Sequence, residues 1–246
     1  MIRKAIITIT LLCCLLFWGV SIGINRLVES AVTDYLKDTC LVNGTLSEAK
    51  VSLLSGEAVL YDLRIDNPKG FPNGNALAVR SIRLAFKPDI LFNSPFTLRE
   101  VVLDEPVVLL SGPADEDNIL EIGRNLTAAI RVYAMDLHHK RSDPLIRIEN
   151  MYTVDGMLKS KETGPEPVRL PTLLLSQVGD SKGLPLSKVV MRLLTSLDNA
   201  ANTAKLAALP EEGGMGGGEE PAGAGETPQP AQAPQASKTS KGPAGK

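Results

Sequence analysis

The feature that most constrains this chain is an uncharged run from Ala5 to Ile24, with Arg3 and Lys4 before it and Asn25 and Arg26 after it. As a helix, about 20 residues rising about 1.5 Å each span roughly 30 Å, the thickness of a bilayer's hydrocarbon core. The expected anchor residues include Ile6, Leu11, Leu15, Phe17 and Trp18, the last toward the far end, where an interfacial aromatic is favoured. A cleaved signal peptide has a shorter apolar core, about 7–15 residues, followed by a small-x-small site. Gly19-Val20-Ser21 is only a weak match to such a site, so the segment reads as an uncleaved transmembrane helix. Leu11-Leu12-Cys13 lies in mid-run with no small residue before the cysteine, which argues against a lipoprotein box. Arg3, Lys4 and the amino terminus favour the cytoplasmic side, and Glu29, Asp34 and Asp38 follow the run. The expectation is a single pass with the bulk of the chain extracytoplasmic.

Beyond the run the hydrophobic period changes repeatedly. Leu27, Val28, Ala31, Val32, Tyr35 and Leu36 recur at helical spacing, and Asn43-Gly44 ends that helix. Thr45 to Leu54 reads as a strand. In Glu57–Asp66, Val59, Tyr61, Leu63 and Ile65 alternate with Asp62, Arg64 and Asp66, leaving Leu60 as the exception. A turn-rich segment from Asn67 to Gly74 follows, then a strand from Ala76 to Phe86 with Ile82, Leu84 and Phe86 on one face. Strands are expected at Phe96–Leu103, Pro106–Leu110, Leu145–Ile148, Met151–Leu158 and Val168–Val178, with Pro171 suggesting an edge. Two amphipathic helices interrupt or close this series: Asp117–Met135, capped by Asp115 or Asp117, and one starting at Pro185 and running to about Leu206.

The fold class is therefore α+β and mainly antiparallel β: a curved or grooved sheet of about seven strands with two packing helices, preceded by one transmembrane helix. Residues 1–26 form the anchor, 27–42 a helical stalk or sheet cap, and 43–206 the β-rich domain. Residues 207–246, rich in Gly, Pro and Ala and devoid of aromatics, form a disordered tail, because they bury too little to offset chain entropy.

Several function classes lose support. With 26 Lys+Arg against 28 Asp+Glu and 4% aromatics, the chain has neither the basic field nor the stacking platforms of a nucleic-acid binder. Of three cysteines only Cys40 lies outside the apolar run, too few for an intramolecular disulfide. The histidines, His138 and His139, are adjacent and would point about 100° apart on a helix, a poor geometry for one metal. There is no Gly-x-Ser-x-Gly elbow and no His-Glu-x-x-His, and Gly213–Gly218 lacks the context of a phosphate loop. Neither an enzyme nor a cofactor is expected.

Within the β-rich segment, Asp62-Leu63-Arg64-Ile65-Asp66-Asn67-Pro68-Lys69-Gly70-Phe71, followed by the strand Ala78–Leu84, resembles the L-x-I-x-N-P-x-G-F segment and following strand of AsmA-like proteins. Val101–Pro106 resembles their v-x-l-x-x-P step, and Asn118-Ile119-Leu120 with Asn125-Leu126 the start of their helix. The resemblance covers roughly Thr45 to Gly183. It implies anchorage in the bacterial inner membrane, a periplasmic domain, and a part in outer-membrane biogenesis. The expected lipid-binding residues are Val59, Tyr61, Leu63, Ile65, Ile82, Leu84 and Phe86, lining an apolar sheet groove. Membrane lipid, with phospholipid foremost, is the expected partner; the alternative is a module that binds other envelope proteins. At about 4.8 Å per strand such a sheet spans only some 35 Å, too little to bridge a periplasm alone.

Overall fold

The computed structural model describes residues 23–90, 94–113, 116–135 and 143–208. The anchor residues Ile6, Leu11, Leu15, Phe17 and Trp18, the pair His138-His139 and the segment from Leu209 onward lie outside these. Among the described residues no helix is long and apolar enough to cross a membrane.

Helix α1 (23–38) leads into strands β1 (Gly44–Thr45), β2 (Glu48–Ser52), β3 (Glu57–Asp66), β4 (Asn75–Phe86) and β5 (Phe96–Leu110). Helix α2 (Asn118–Met135) then connects β5 to β6 (Leu145–Val154). After it come β7 (Met157–Ser160), β8 (Val168–Arg169), β9 (Leu174–Val178), β10 (Leu184–Pro185) and α3 (Leu186–Ala208). All ten strands join one uncurled sheet with the path β1-β3-β4-β5-β6-β10; β2 lies beside β3, β7 beside β5, and β9 beside β6. Pairing is antiparallel except where β5 meets β6 and β7. A parallel pair needs a crossover, and α2 supplies it.

The α+β class and the mainly antiparallel sheet match expectation; the count of about seven strands does not. The reason is a crease across the sheet. Asp62, Glu105 and Asp155 all have left-handed backbones, with φ of 51°, 47° and 50°. They fall on one row. Asp62 lies between the pairs Tyr61–Ser81 and Leu63–Val79, level with Arg80 on β4. Arg80 in turn lies between Ser81–Asp104 and Val79–Pro106, level with Glu105. Glu105 and Asp155 lie between Asp104–Val154 and Val107–Met157. On the same row the β1–β2 ribbon breaks between Thr45 and Glu48, and the β8–β9 ribbon breaks after Arg169. Three ribbons are thereby cut into pairs: β1 with β2, β6 with β7, and β8 with β9. Pro106 does not divide β5, which runs unbroken for 15 residues.

A left-handed residue also shifts which side chains point inward. In β3 the buried residues are Ala58 and Leu60 before Asp62, then Leu63 and Ile65 after it. In β5 they are Val101, Val102 and Leu103 before Glu105, then Pro106, Val108 and Leu110. In β3 the alternation holds separately on either side of the crease.

Helices α2 and α3 cover the inner face. Ile119, Ile122 and Leu126 of α2 and Val189, Leu194 and Leu197 of α3 share one hydrophobic cluster with Leu63, Ile65, Val79, Leu103 and Val108. The start of α2 is fixed by side chains. Asp117 Oδ1 accepts from Leu120 N at 2.9 Å, an N-cap. Asn118 is fully buried and fully used: its Oδ1 accepts from Ser111 N (3.0 Å), and its Nδ2 donates to Leu109 O (2.8 Å) and Asn67 Oδ1 (2.6 Å). Two of the segments that carry the AsmA-like resemblance thus meet at the Asn67–Asn118 contact. In α3 Asp143 is the cap, accepting from the Ser187 amide and hydroxyl.

Helix α1 is not a free-standing stalk. Asn25 Oδ1 accepts from Val51 N at 2.9 Å and Glu29 Oε1 from Ala49 N at 3.0 Å, so α1 satisfies the outer edge of β2. Its end tucks under β1, where a Cβ on Gly44 would come within 2.3 Å of Leu36 Cδ1 and push that side chain aside.

Candidate functional site

The seven residues expected to line a sheet groove do not form one open surface. Leu63, Ile65 and Phe86 are buried, and Ile82 and Leu84 are half-buried and pack on the core cluster. Val59 and Tyr61 are half-buried beside Arg83 and Ser81, on the outer side of the crease. The Lys50 ammonium lies 5.0 Å above the Tyr61 ring, an exposed cation–π contact. Leu60 is core rather than an exception, because the backbone of Asp62 changes the phase. Leu63 and Ile65 pack in the cluster that α2 and α3 share, so the expected groove is not open at those two residues.

An apolar concavity lies instead between α2 and α3. It encloses about 430 Å³, within the range of small-ligand sites. Its floor is Ile119, Leu194, Met191 and Gly123. Gly123 carries no side chain, and a Cβ there would sit 3.4 Å from Met191 Sδ, so α2 faces α3 closely at this point. Thr127 and Thr195 add hydroxyls to the walls, although Thr127 Oγ1 already donates to Gly123 O at 2.9 Å. The rim carries Arg124 and Arg131, both exposed and both on α2. Seven residues apart, they sit on one side of the helix about 10 Å from each other. Arg124 forms an i,i+3 ion pair with Glu121 at 3.3 Å.

The inner end of the groove holds Asp198, only 5% exposed. Burial, a hydrogen bond with Asp117 and the charge of Asp117 push its carboxyl up to about 7, while the Asn202 amide, 2.9 Å from its Oδ1, pulls the other way. Asp117 Oδ2 is buried with no donor unless Asp198 carries a proton. A proton held by Asp198 supplies that donor across the α2–α3 junction.

Other titratable groups serve structure. Cys40 is a free thiol, 1% exposed, and burial raises its pKa to about 11, so it is a poor nucleophile. The Tyr35 phenol is raised by burial and by the nearby Cys40 and Asp143. Among the described residues no cluster of three or more His, Cys, Asp or Glu is placed to hold a metal.

The groove residues were not legible as a site. Neither Arg124 nor Arg131 stands out in the sequence, and the available signal is their seven-residue spacing on a helix containing Gly123.

No protein-family model matches this chain, and no curated protein matches it in sequence.

Proposed function

We infer that the protein is a non-enzymatic envelope component, held in the bacterial inner membrane by the Ala5–Ile24 run, whose periplasmic AsmA-like domain binds an anionic lipid between α2 and α3. The observation that carries this reading is the pairing of an apolar interhelical groove with two arginines on its rim. An acyl chain gains by leaving water for the floor of Ile119, Met191 and Leu194. A phosphate or carboxylate at its head is matched by guanidinium forks, which bind such groups in bidentate fashion. The lipid contact is thus assigned to the helix pair rather than to the sheet.

A second reading, a module that assembles other envelope proteins, is favoured by the covered inner face of the sheet. The two separate on lipid content. A fragment of residues 23–208, purified and extracted into organic solvent, should release phospholipid detectable by mass spectrometry. Replacing both Arg124 and Arg131 by Glu should cut that yield several-fold with the circular dichroism unchanged. A folded wild-type fragment carrying no lipid above background would transfer support to the assembly reading.

A further inference from the structure

We propose that the β2–β3 turn, through Leu53 and Leu54, dips into the same bilayer that holds the N-terminal run and gives the domain a second, monotopic membrane contact. This rests on the tethering reading above. Helix α1 and strand β2 lie side by side and run in opposite directions: Asn25 is bonded to Val51 and Glu29 to Ala49. Four helical residues advance about 6 Å and two strand residues about 6.6 Å, so the two ladders keep step. Beyond Val51 the chain continues toward the apolar run. Leu54 lies three residues further, which carries the turn roughly 7–10 Å past Asn25 along the axis of α1. The polar boundary of the run, Ile24 to Asn25, therefore lies behind the turn and not ahead of it.

The exposed side chains agree. Leu54 is 74% exposed at the tip of the turn, and Leu27, one helical position past Arg26, is 70% exposed. The turn is braced for this position. Gly56 has φ of 69°, and a Cβ there would meet Phe86 O at 2.2 Å and lie 3.5 Å from Pro88 Cδ. Phe86 N donates to Gly56 O at 2.8 Å, locking the tip against the end of β4. The occupant is the headgroup and upper acyl region of the bilayer, because the covalent continuation of α1 is the apolar run itself. An isolated exposed leucine needs no explanation, but this one lies past Asn25 on the side from which α1 enters the domain.

The test uses the full chain in phosphatidylethanolamine–phosphatidylglycerol vesicles. Trp18 is the single tryptophan, so Trp18→Phe with Leu54→Trp places one fluorophore on the turn. Trp18→Phe with Lys161→Trp places it past β7, about 30 Å away along the strands. Phospholipid brominated near the top of the acyl chain should quench the emission at position 54 at least twofold and leave that at position 161 unchanged. Vesicle flotation separates the two readings. If the chain floats and position 54 is no more quenched than position 161, the turn proposal is overturned and the tether stands. If the chain does not float with the vesicles, both fall.

Discussion

The Asp117–Asp198 junction makes a prediction with a sign and a size. Asp198 has an ordinary carboxylate value of 3.8 when exposed and about 7 in the folded protein. The folded state therefore holds a proton that the unfolded state gives up. Because the folded value is raised, the stabilisation is complete below about pH 4 and is lost as pH rises toward and through 7. Each unit of difference is worth about 1.4 kcal/mol, so the full loss is about 4 kcal/mol at most. Between pH 5 and pH 8 the portion lost is ~2–3 kcal/mol. Asp198→Asn removes the titration and keeps a donor that can face Asp117 Oδ2. Urea unfolding of residues 23–208, followed by circular dichroism, gives stability at each pH. The wild type should lose ~2–3 kcal/mol relative to Asp198→Asn between pH 5 and pH 8. Carboxylates that do not touch Asp198 contribute equally to both proteins and cancel in the difference. Parallel pH profiles for the two proteins would refute the proton held by Asp198.

Three further outcomes follow from the same structure. Asp62→Gly should be neutral or stabilise by up to ~1 kcal/mol, whereas Asp62→Val should cost ~1–3 kcal/mol, because a β-branched residue is penalised at φ of 51°; equal urea midpoints for the two variants would remove the crease as an explanation of the burial pattern. Leu126→Ala, at a position with no exposed surface, should cost about 2–5 kcal/mol in urea unfolding through the cavity it leaves under α2. In the 23–208 fragment, Cys40 should resist a thiol reagent at pH 8 in buffer and react fully in urea, since burial both hides the thiol and raises its pKa to about 11; rapid native labelling would show that the β1 end opens.

Much of the architecture was legible in local pattern. The helical stripe of Ile119, Ile122 and Leu126 is buried where periodicity put it, and Asp117 caps α2 as its position suggested. The break near Asp155-Gly156 separates β6 from β7, and Pro171 interrupts the edge ribbon between β8 and β9. These features depend on near neighbours in the chain: a 3.6-residue period, a cap, a residue that cannot donate a hydrogen bond.

What only the tertiary structure decided is how residues far apart in sequence share a row or a face. Val59 and Tyr61 match the alternation of Leu63 and Ile65 on paper, but a left-handed Asp62 between them divides the set. Aspartate tolerates that conformation without requiring it, and the matching conformations of Glu105 and Asp155 are aligned only by strand register. The groove has the same origin. Gly123, Arg131 and Asp198 become neighbours because α2 and α3 pack side by side on one sheet, a consequence of burying two apolar stripes at once. The length of the uncharged Ala5–Ile24 run is legible in composition alone, because hydrocarbon thickness asks of such a run only a length. That α1 runs alongside β2 required the hydrogen bonds of Asn25 and Glu29, which join elements that the chain separates by 20 residues or more.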